Sequence, residues 1–212
     1  MSVPAHAAPH PETLSSRVQD ATGESVFNCY QCGKCTAGCP LAAEMDYAPN
    51  QILRLLQLDL PEMVEEVLGA FSIWLCLTCE TCAARCPQEV DLPRIMDYLR
   101  QESLRRGLVH PKAKDILAFH QAFLETIKRG GRLHEVGLIA AYKLKTLHLL
   151  QDVLLAPKLM ARGKLNPLPH GIAGKEAVRR IFERCGTGSL PVDSGATRVT
   201  ETHPGDAEGS GT

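Results

Sequence analysis

Residues 29–40 read CYQCGKCTAGCP, and residues 76–87 read CLTCETCAARCP. Both stretches follow C-x2-C-x2-C-x3-C-P. Cys29, Cys32, Cys35 and Cys39 each have a counterpart 47 residues further on, in Cys76, Cys79, Cys82 and Cys86. Eight of the nine cysteines of the chain are used in this way. Four cysteines within eleven residues, twice, could not easily all reach bridge geometry, and the total is odd, so disulfides fit poorly. Zinc knuckles bring one C-x2-C pair each, and the third cysteine of each run would be surplus.

A four-iron cubane does need this pattern. Each iron takes one thiolate, and three irons define one face of the cube. A C-x2-C-x2-C run can fold around that face with its backbone N–H groups aimed at the sulfurs. Small residues such as Gly33 and Ala83 allow close approach of the backbone. The fourth ligand must reach the opposite corner, and so is expected from the remote cassette. The run is similar to that of the bacterial two-cluster ferredoxins, in which the fourth cysteine ligates the other cluster. The resemblance implies one [4Fe–4S] cluster on Cys29, Cys32, Cys35 and Cys86. It implies a second on Cys76, Cys79, Cys82 and Cys39. Plant-type [2Fe–2S] spacing, C-x4-C-x2-C, is not present. Radical chemistry would require an iron without a protein ligand, and here each iron has one. Relay of electrons is the expected role.

Composition narrows the partners. A hydrophobic content of 44% suits a globular core, and a formal charge of −1 leaves no nucleic-acid or polybasic membrane signature. No apolar run reaches the length of a membrane span. Thiolate ligands and the absence of a targeting signal predict a cytoplasmic protein, associated with a membrane only through partners.

The elements expected around the cassettes are helices. A short helix is expected over Leu14–Ala21, stopping at Gly23. Pro49 opens QILRLLQL and Pro93 opens RIMDYLRQESLRR, so each cassette is followed by a proline-started helix. Ile52, Leu55 and Leu56 stripe the first, and Ile95, Met96 and Leu99 the second. A helix from Pro61 to Leu68 lies between, with Asp59 as a candidate cap. Alternating β patterns are absent. Further on, Lys112–Arg129 and Glu135–Leu155 read as helices, and Pro157 breaks the pattern. Leu144, Leu147, Leu150 and Leu154 line one face of the second, for packing or for docking on a partner. His120 falls on the apolar stripe of the first and reads as a core histidine with a hydrogen bond. A loop at 163–174 and a helix over Glu176–Arg184 follow, with Cys185 outside any motif. The expected division is a flexible arm at 1–12, a cluster domain at 13–110, a helical extension at 111–186 for packing or docking, and a disordered tail at 187–212.

The fold class is therefore all-α: an α-helical ferredoxin domain with two [4Fe–4S] clusters and a helical C-terminal extension. NCYQCGKCTAGCP and CLTCETCAARCP in helical surroundings resemble the C subunit of heterodisulfide reductase, over roughly residues 14–107. The resemblance implies a non-catalytic component that relays electrons between a flavin- and cluster-bearing A subunit and a B subunit with catalytic CCG motifs. Neither a Cys-Cys pair nor a G-x-G-x-x-G fingerprint occurs here. The terminal substrate is open among a heterodisulfide, another sulfur compound and an acyl-CoA. Two alternatives are an iron–sulfur subunit of a membrane quinone-linked or glycolate-oxidase-type oxidoreductase, and an iron–sulfur redox sensor. Lys34, Arg85 and Glu80 are candidates for tuning the clusters by charge, and Phe27, Tyr30 and Trp74 for apolar cover.

Overall fold

The computed structural model describes residues 13–147, 156–163 and 171–185. Every extended element among them is a helix, with three short 3-10 turns and no strand. The proposed arm and tail lie outside the described residues, as do 148–155 and 164–170 of the C-terminal half.

Helix α1 (Leu14–Thr22) is capped by Thr13, whose side chain accepts from Ser16 N, and stops at Gly23 in the left-handed conformation. The first cassette follows, with a single helical turn, α2 (Lys34–Ala37), inside it. Helix α3 (Pro49–Leu58) begins at proline, as expected, and buries Ile52, Leu53 and Leu56. Helix α4 (Pro61–Gly69) buries Val67 and Leu68. A short α5 (Ser72–Leu75) leads into the second cassette, which contains α6 (Thr81–Ala84). Helix α7 (Leu92–Arg106) buries Leu92, Ile95, Met96 and Leu99 and ends at Gly107.

These helices close around one apolar core. Val18 of α1, Ile52 of α3, Val67 of α4, Ile73 of α5 and Leu99 of α7 are all fully buried in it. The long α7 meets α1, α4 and α5, so the helix after the second cassette braces the whole domain. Its Glu102 is buried at 1% exposure and pairs with Arg17 of α1 and with Arg105 and Arg106 of its own helix. A buried carboxylate needs such partners, because desolvation without them costs several kcal/mol.

Asp59 departs from the expected role. It does not cap α4. It ends α3 with φ 47°, and its carboxylate accepts from Leu14 N, Ser15 N and Ser15 Oγ at the start of α1. The carboxylate thus satisfies orphan N–H groups of a helix 45 residues away in sequence. Burial pushes the Asp59 carboxyl up, but the bonds from Ser15, Thr13 and Leu14 outweigh it and hold it below the usual range.

Among the described residues, the C-terminal half is an αα-hairpin with two further helices. Helix α8 (Lys114–Gly130) follows a 3-10 turn at Pro111–Ala113 and stops at Gly131. Ala113 and Leu117 join the main core. His120 is exposed and is not a core residue: the face toward the core carries Leu117, while the next turn turns outward. Helix α9 (Glu135–Thr146) packs along α8, with Phe119 edge-on to Tyr142 at 6.0 Å. The helix expected to run on to Leu155 stops at Thr146, where Leu147 is left-handed with φ 60°. Leu144 and Leu147 are 69% and 78% exposed, and Leu150 and Leu154 lie outside the described residues. Pro157 does not break a helix but sits in the first turn of α10 (Ala156–Ala161), where its missing N–H costs nothing. Helix α11 (Lys175–Arg184) returns onto α8. Cys185 is exposed at its end. Among the described residues, no helix is long and apolar enough to cross a membrane.

Candidate iron–sulfur site

The two cassettes adopt the same backbone path. In the first, Gln31 and Gly33 are left-handed, at φ 63° and 74°; in the second, Thr78 and Glu80 take those roles at φ 50° and 59°. Both members of each pair flank the second cysteine, Cys32 or Cys79. Alternation of left- and right-handed residues turns successive N–H groups to one side and builds a concave nest, the arrangement that receives anions and iron–sulfur clusters. Gly33 takes the left-handed conformation that glycine adopts freely, and a Cβ added to it would meet no other protein atom within 4 Å.

The cassettes then meet through α2 and α6. Gly38 and Arg85 are related by the repeat, and the Arg85 side chain lies over Gly38. Its Cδ stands 2.8 Å from where a Cβ of residue 38 would be. A Cβ at residue 38 would require the Arg85 side chain to shift.

Cys39, Cys76, Cys79 and Cys82 line one cavity, together with Leu41, Met45, Pro93 and Met96. On the other side, the Tyr30 phenol is pushed up by partial desolvation and then by the neighbouring Cys32, Cys86 and Cys29 sulfurs. Cys86 of the second cassette and Cys39 of the first thus each stand with cysteines of the opposite run. Cys35 and Cys82 influence one another where the two turns meet. Among the described residues, no three His, Cys, Asp or Glu side chains converge to the spacing of a single metal ion. A cubane instead asks for thiols set around a cavity, and four of these are.

The donor chemistry also suits a cluster. Gln31 donates from both N and Nε2 to Cys29 Sγ at 3.4 Å, and Val90 N donates to Cys86 Sγ at 3.4 Å. Hydrogen bonds to sulfur stabilise added negative charge. Burial pushes the Cys82 thiol up to about 11, with the Cys76 and Cys35 sulfurs adding to it. Burial likewise raises Cys35, and raises Cys76 against the opposing pull of Thr78 N–H and the Arg100 guanidinium. Cys79, at the surface, is lowered by the Thr81 hydroxyl and N–H. Half-buried thiols of this kind hold their protons until a metal ion displaces them, since a coordinating thiol is deprotonated outright.

The three residues read as apolar cover differ in exposure. Trp74 is 5% exposed within the core, whereas Phe27 and Tyr30 are 63% and 59% exposed. Lys34, Glu80 and Arg85 are exposed as well. The polar supports behind the cassettes are not evident from spacing. Asn50 of α3 donates to Gln31 Oε1 at 3.2 Å and is bonded to Thr36 Oγ1. Asp46 accepts from Tyr47 N, Phe71 N and Ser72 N, tying the loop after the first cassette to the turn that opens the second. Gln57 and Arg100 hold backbone carbonyls at the cassette entrances. Their only signal in the sequence is a polar residue at the shoulder of an apolar helix stripe.

An all-helical domain with two matched cysteine nests is an α-helical dicluster ferredoxin, and residues 25–90 match the 4Fe-4S dicluster domain family. The chain holds two [4Fe–4S] clusters, whose chemistry is one-electron transfer. Its relatives are more specific. It is 31% identical over 106 residues to the C subunit of the H(2):CoB-CoM heterodisulfide,ferredoxin reductase of Methanothermobacter thermautotrophicus, covering 50% of this chain and 56% of that one. It is 38% identical over 103 residues to the iron-sulfur C 2 subunit of the CoB--CoM heterodisulfide reductase of Methanocaldococcus jannaschii, covering 47% of this chain and 53% of that one. It is 35% identical over 98 residues to the C subunit of the Ferredoxin:CoB-CoM heterodisulfide reductase of Methanosarcina acetivorans, covering 46% of this chain and 38% of that one. In its cluster-bearing half the chain is similar in sequence to C subunits of heterodisulfide reductases. The matched part spans about half the length of these relatives or less.

Proposed function

We propose that the chain is the electron relay of a heterodisulfide-reductase-like complex. It stands between a flavin- and cluster-bearing A subunit and a B subunit with catalytic CCG motifs. Cys29, Cys32, Cys35 and Cys86 hold one [4Fe–4S] cluster, and Cys76, Cys79, Cys82 and Cys39 hold the other. When bound, the clusters supply one-electron storage at two neighbouring points. The chain's own residues do the rest: the left-handed pairs aim N–H groups inward, and the Gln31 and Val90 bonds to sulfur ease the arrival of charge.

The observation that carries the reading is the exposure pattern of the cysteines. Cys32 and Cys79 are exposed, one on each cassette, while Cys35 and Cys82 lie half-buried where the cassettes meet. A relay needs that arrangement: two rims open to different partners and a short internal step between them. Residues 13–110 form the cluster domain in this reading, and 111–186 supply packing and partner docking. The exposed Leu144, Leu147 and Ile139 of the α8–α9 hairpin favour docking.

Anaerobic purification from the native host tests the proposal. About eight irons per chain are expected, as two four-iron clusters require, with acid-labile sulfide, a CCG-motif protein and a flavoprotein in the same complex. A cytochrome b partner in place of these would move the chain to a quinone-linked oxidoreductase. Zinc without sulfide would overturn the reading.

A further inference from the structure

The duplication is broken at one point that bears on electron flow. In the first cassette, the carbonyls of Val26 and Cys29 both accept from Gln57 Nε2, at 2.9 and 2.7 Å. In the second, the carbonyls of Ile73 and Cys76 accept from Arg100 Nε and Nη2. Ile73 and Cys76 lie 47 residues after Val26 and Cys29, so these are the same two carbonyls of the repeat. In each half they are gripped by one side chain from the helix that follows the cassette, Gln57 on α3 and Arg100 on α7. One grip is a neutral amide. The other is a full positive charge that titration cannot remove.

We infer that Arg100 makes the cluster on the Cys76 set the higher in potential of the two, so that electrons pass from the Cys29-set cluster to it. This rests on the relay reading above, and Cys76 belongs to that cluster whether or not the fourth ligands cross. Reduction adds one negative charge to a cluster, and a fixed cation on the carbonyl of a ligand cysteine favours the charged product.

The competing charges are weaker in their effect. The Arg100 side chain is only 16% exposed. Among the described residues its carboxylate partner is Asp97 at 2.9 Å, which is 53% exposed and more open to screening by water. On the neutral side, Arg54 touches Gln57 Oε1 at 3.4 Å, but it is exposed and one side chain further out. Lys34 near the first cluster and Glu80 near the second would act in the opposite sense, and both are exposed. Charges open to water are the more strongly screened. Arg100 is mostly enclosed and bonded directly to the carbonyl of a ligand cysteine, so its charge is the least screened of these. Arg85 is exposed too and stands beside Cys86 as well as, across Gly38, beside Cys39, so it favours neither cluster over the other.

The test is anaerobic potentiometry followed by electron paramagnetic resonance, on the full chain loaded with both clusters. Arg100→Gln copies the grip of the first cassette. It is expected to lower the higher midpoint by about a tenfold change in its reduction equilibrium, which is 59 mV for a one-electron couple, and to leave the lower midpoint in place. Arg100→Lys keeps the charge and should leave both near their original values. Asp97→Asn removes the opposing carboxylate and should raise the higher midpoint alone. The inference is overturned if Arg100→Gln moves the lower midpoint, or moves neither while both clusters are retained. If Arg100→Gln does not hold its clusters, Asp97→Asn decides, and an unmoved higher midpoint in that variant overturns the inference. The measurement needs no partner protein, so a failure to find the A and B subunits leaves its outcome readable.

Discussion

At the residue scale, four positions hold the shape of the cassettes: Gln31, Gly33, Thr78 and Glu80, all at positive φ. Glycine takes that conformation freely, but for other residues it costs roughly 1–2 kcal/mol. The repeat sets up a direct comparison, because Gly33 and Glu80 occupy the same place. Glu80→Gly should stabilise the loaded protein by about 1 kcal/mol. Gly33→Ala should destabilise it by about the same amount, although its Cβ meets no protein atom. The midpoint of anaerobic thermal unfolding, followed by visible absorbance of the clusters, would read both. Equal midpoints for all three proteins would show that the nest does not depend on these angles. Of this geometry, only the glycine is visible in the sequence, where it suggests close packing and not a backbone angle. Nothing in the letters Gln, Thr or Glu announces a left-handed backbone, since the conformation is imposed by the chain's need to wrap three cysteines around one face.

At the scale of elements, helix starts are legible in the sequence and long-range caps are not. Pro49, Pro61 and Pro93 mark the first turns of α3, α4 and α7, as a fixed φ and a missing N–H dictate. Asp59 reads as a local cap because sequence rules consider neighbours only, whereas a carboxylate serves whichever N–H groups the fold brings to it. Asp46 does the same for Phe71 and Ser72 at the head of α5, and its pKa carries a consequence. Burial pushes the Asp46 carboxyl up, but bonds from the Ser72 hydroxyl and the N–H groups of Phe71, Ser72 and Tyr47 prevail, so it is held below its usual 3.8. A depressed carboxylate contributes its stability above the unfolded value and loses it as pH falls through the folded one. Asp46→Asn should therefore cost about 1 kcal/mol at neutral pH, a figure reduced for the solvent exposure of this side chain. The difference from the unsubstituted protein should close only below pH 3.8. Denaturant unfolding of the two proteins across that range would show it. A gap that stayed constant down to about pH 3, below the unfolded carboxylate value, would assign the effect to packing and not to the carboxylate.

At the scale of the whole molecule, the all-α class and the cluster domain are open to reading because eight cysteines in a fixed spacing leave few alternatives. The C-terminal half is less so. Its apolar residues repeat at helical spacing without a motif, so periodicity predicts helices but not where they end or which face is covered. Leu144, Leu147 and His120 are places among the described residues where periodicity misleads. Because α9 and α11 pack on α8, and α8 alone reaches the core through Leu117, deleting residues 134–184 should leave about eight irons per chain in place. Association with partner subunits should fall at least tenfold, as measured by copurification and by titration of the partner complex. Loss of both clusters on the deletion would place this half within the cluster fold. The interlock of Arg85 on Gly38 has a last consequence, for biogenesis. The cassettes pack on each other through α2 and α6, so filling one nest is expected to steady the wall of the other and favour its filling. Chains short of iron would then be sorted into complete and empty ones, and oxidative damage at either rim would be a fault of the pair.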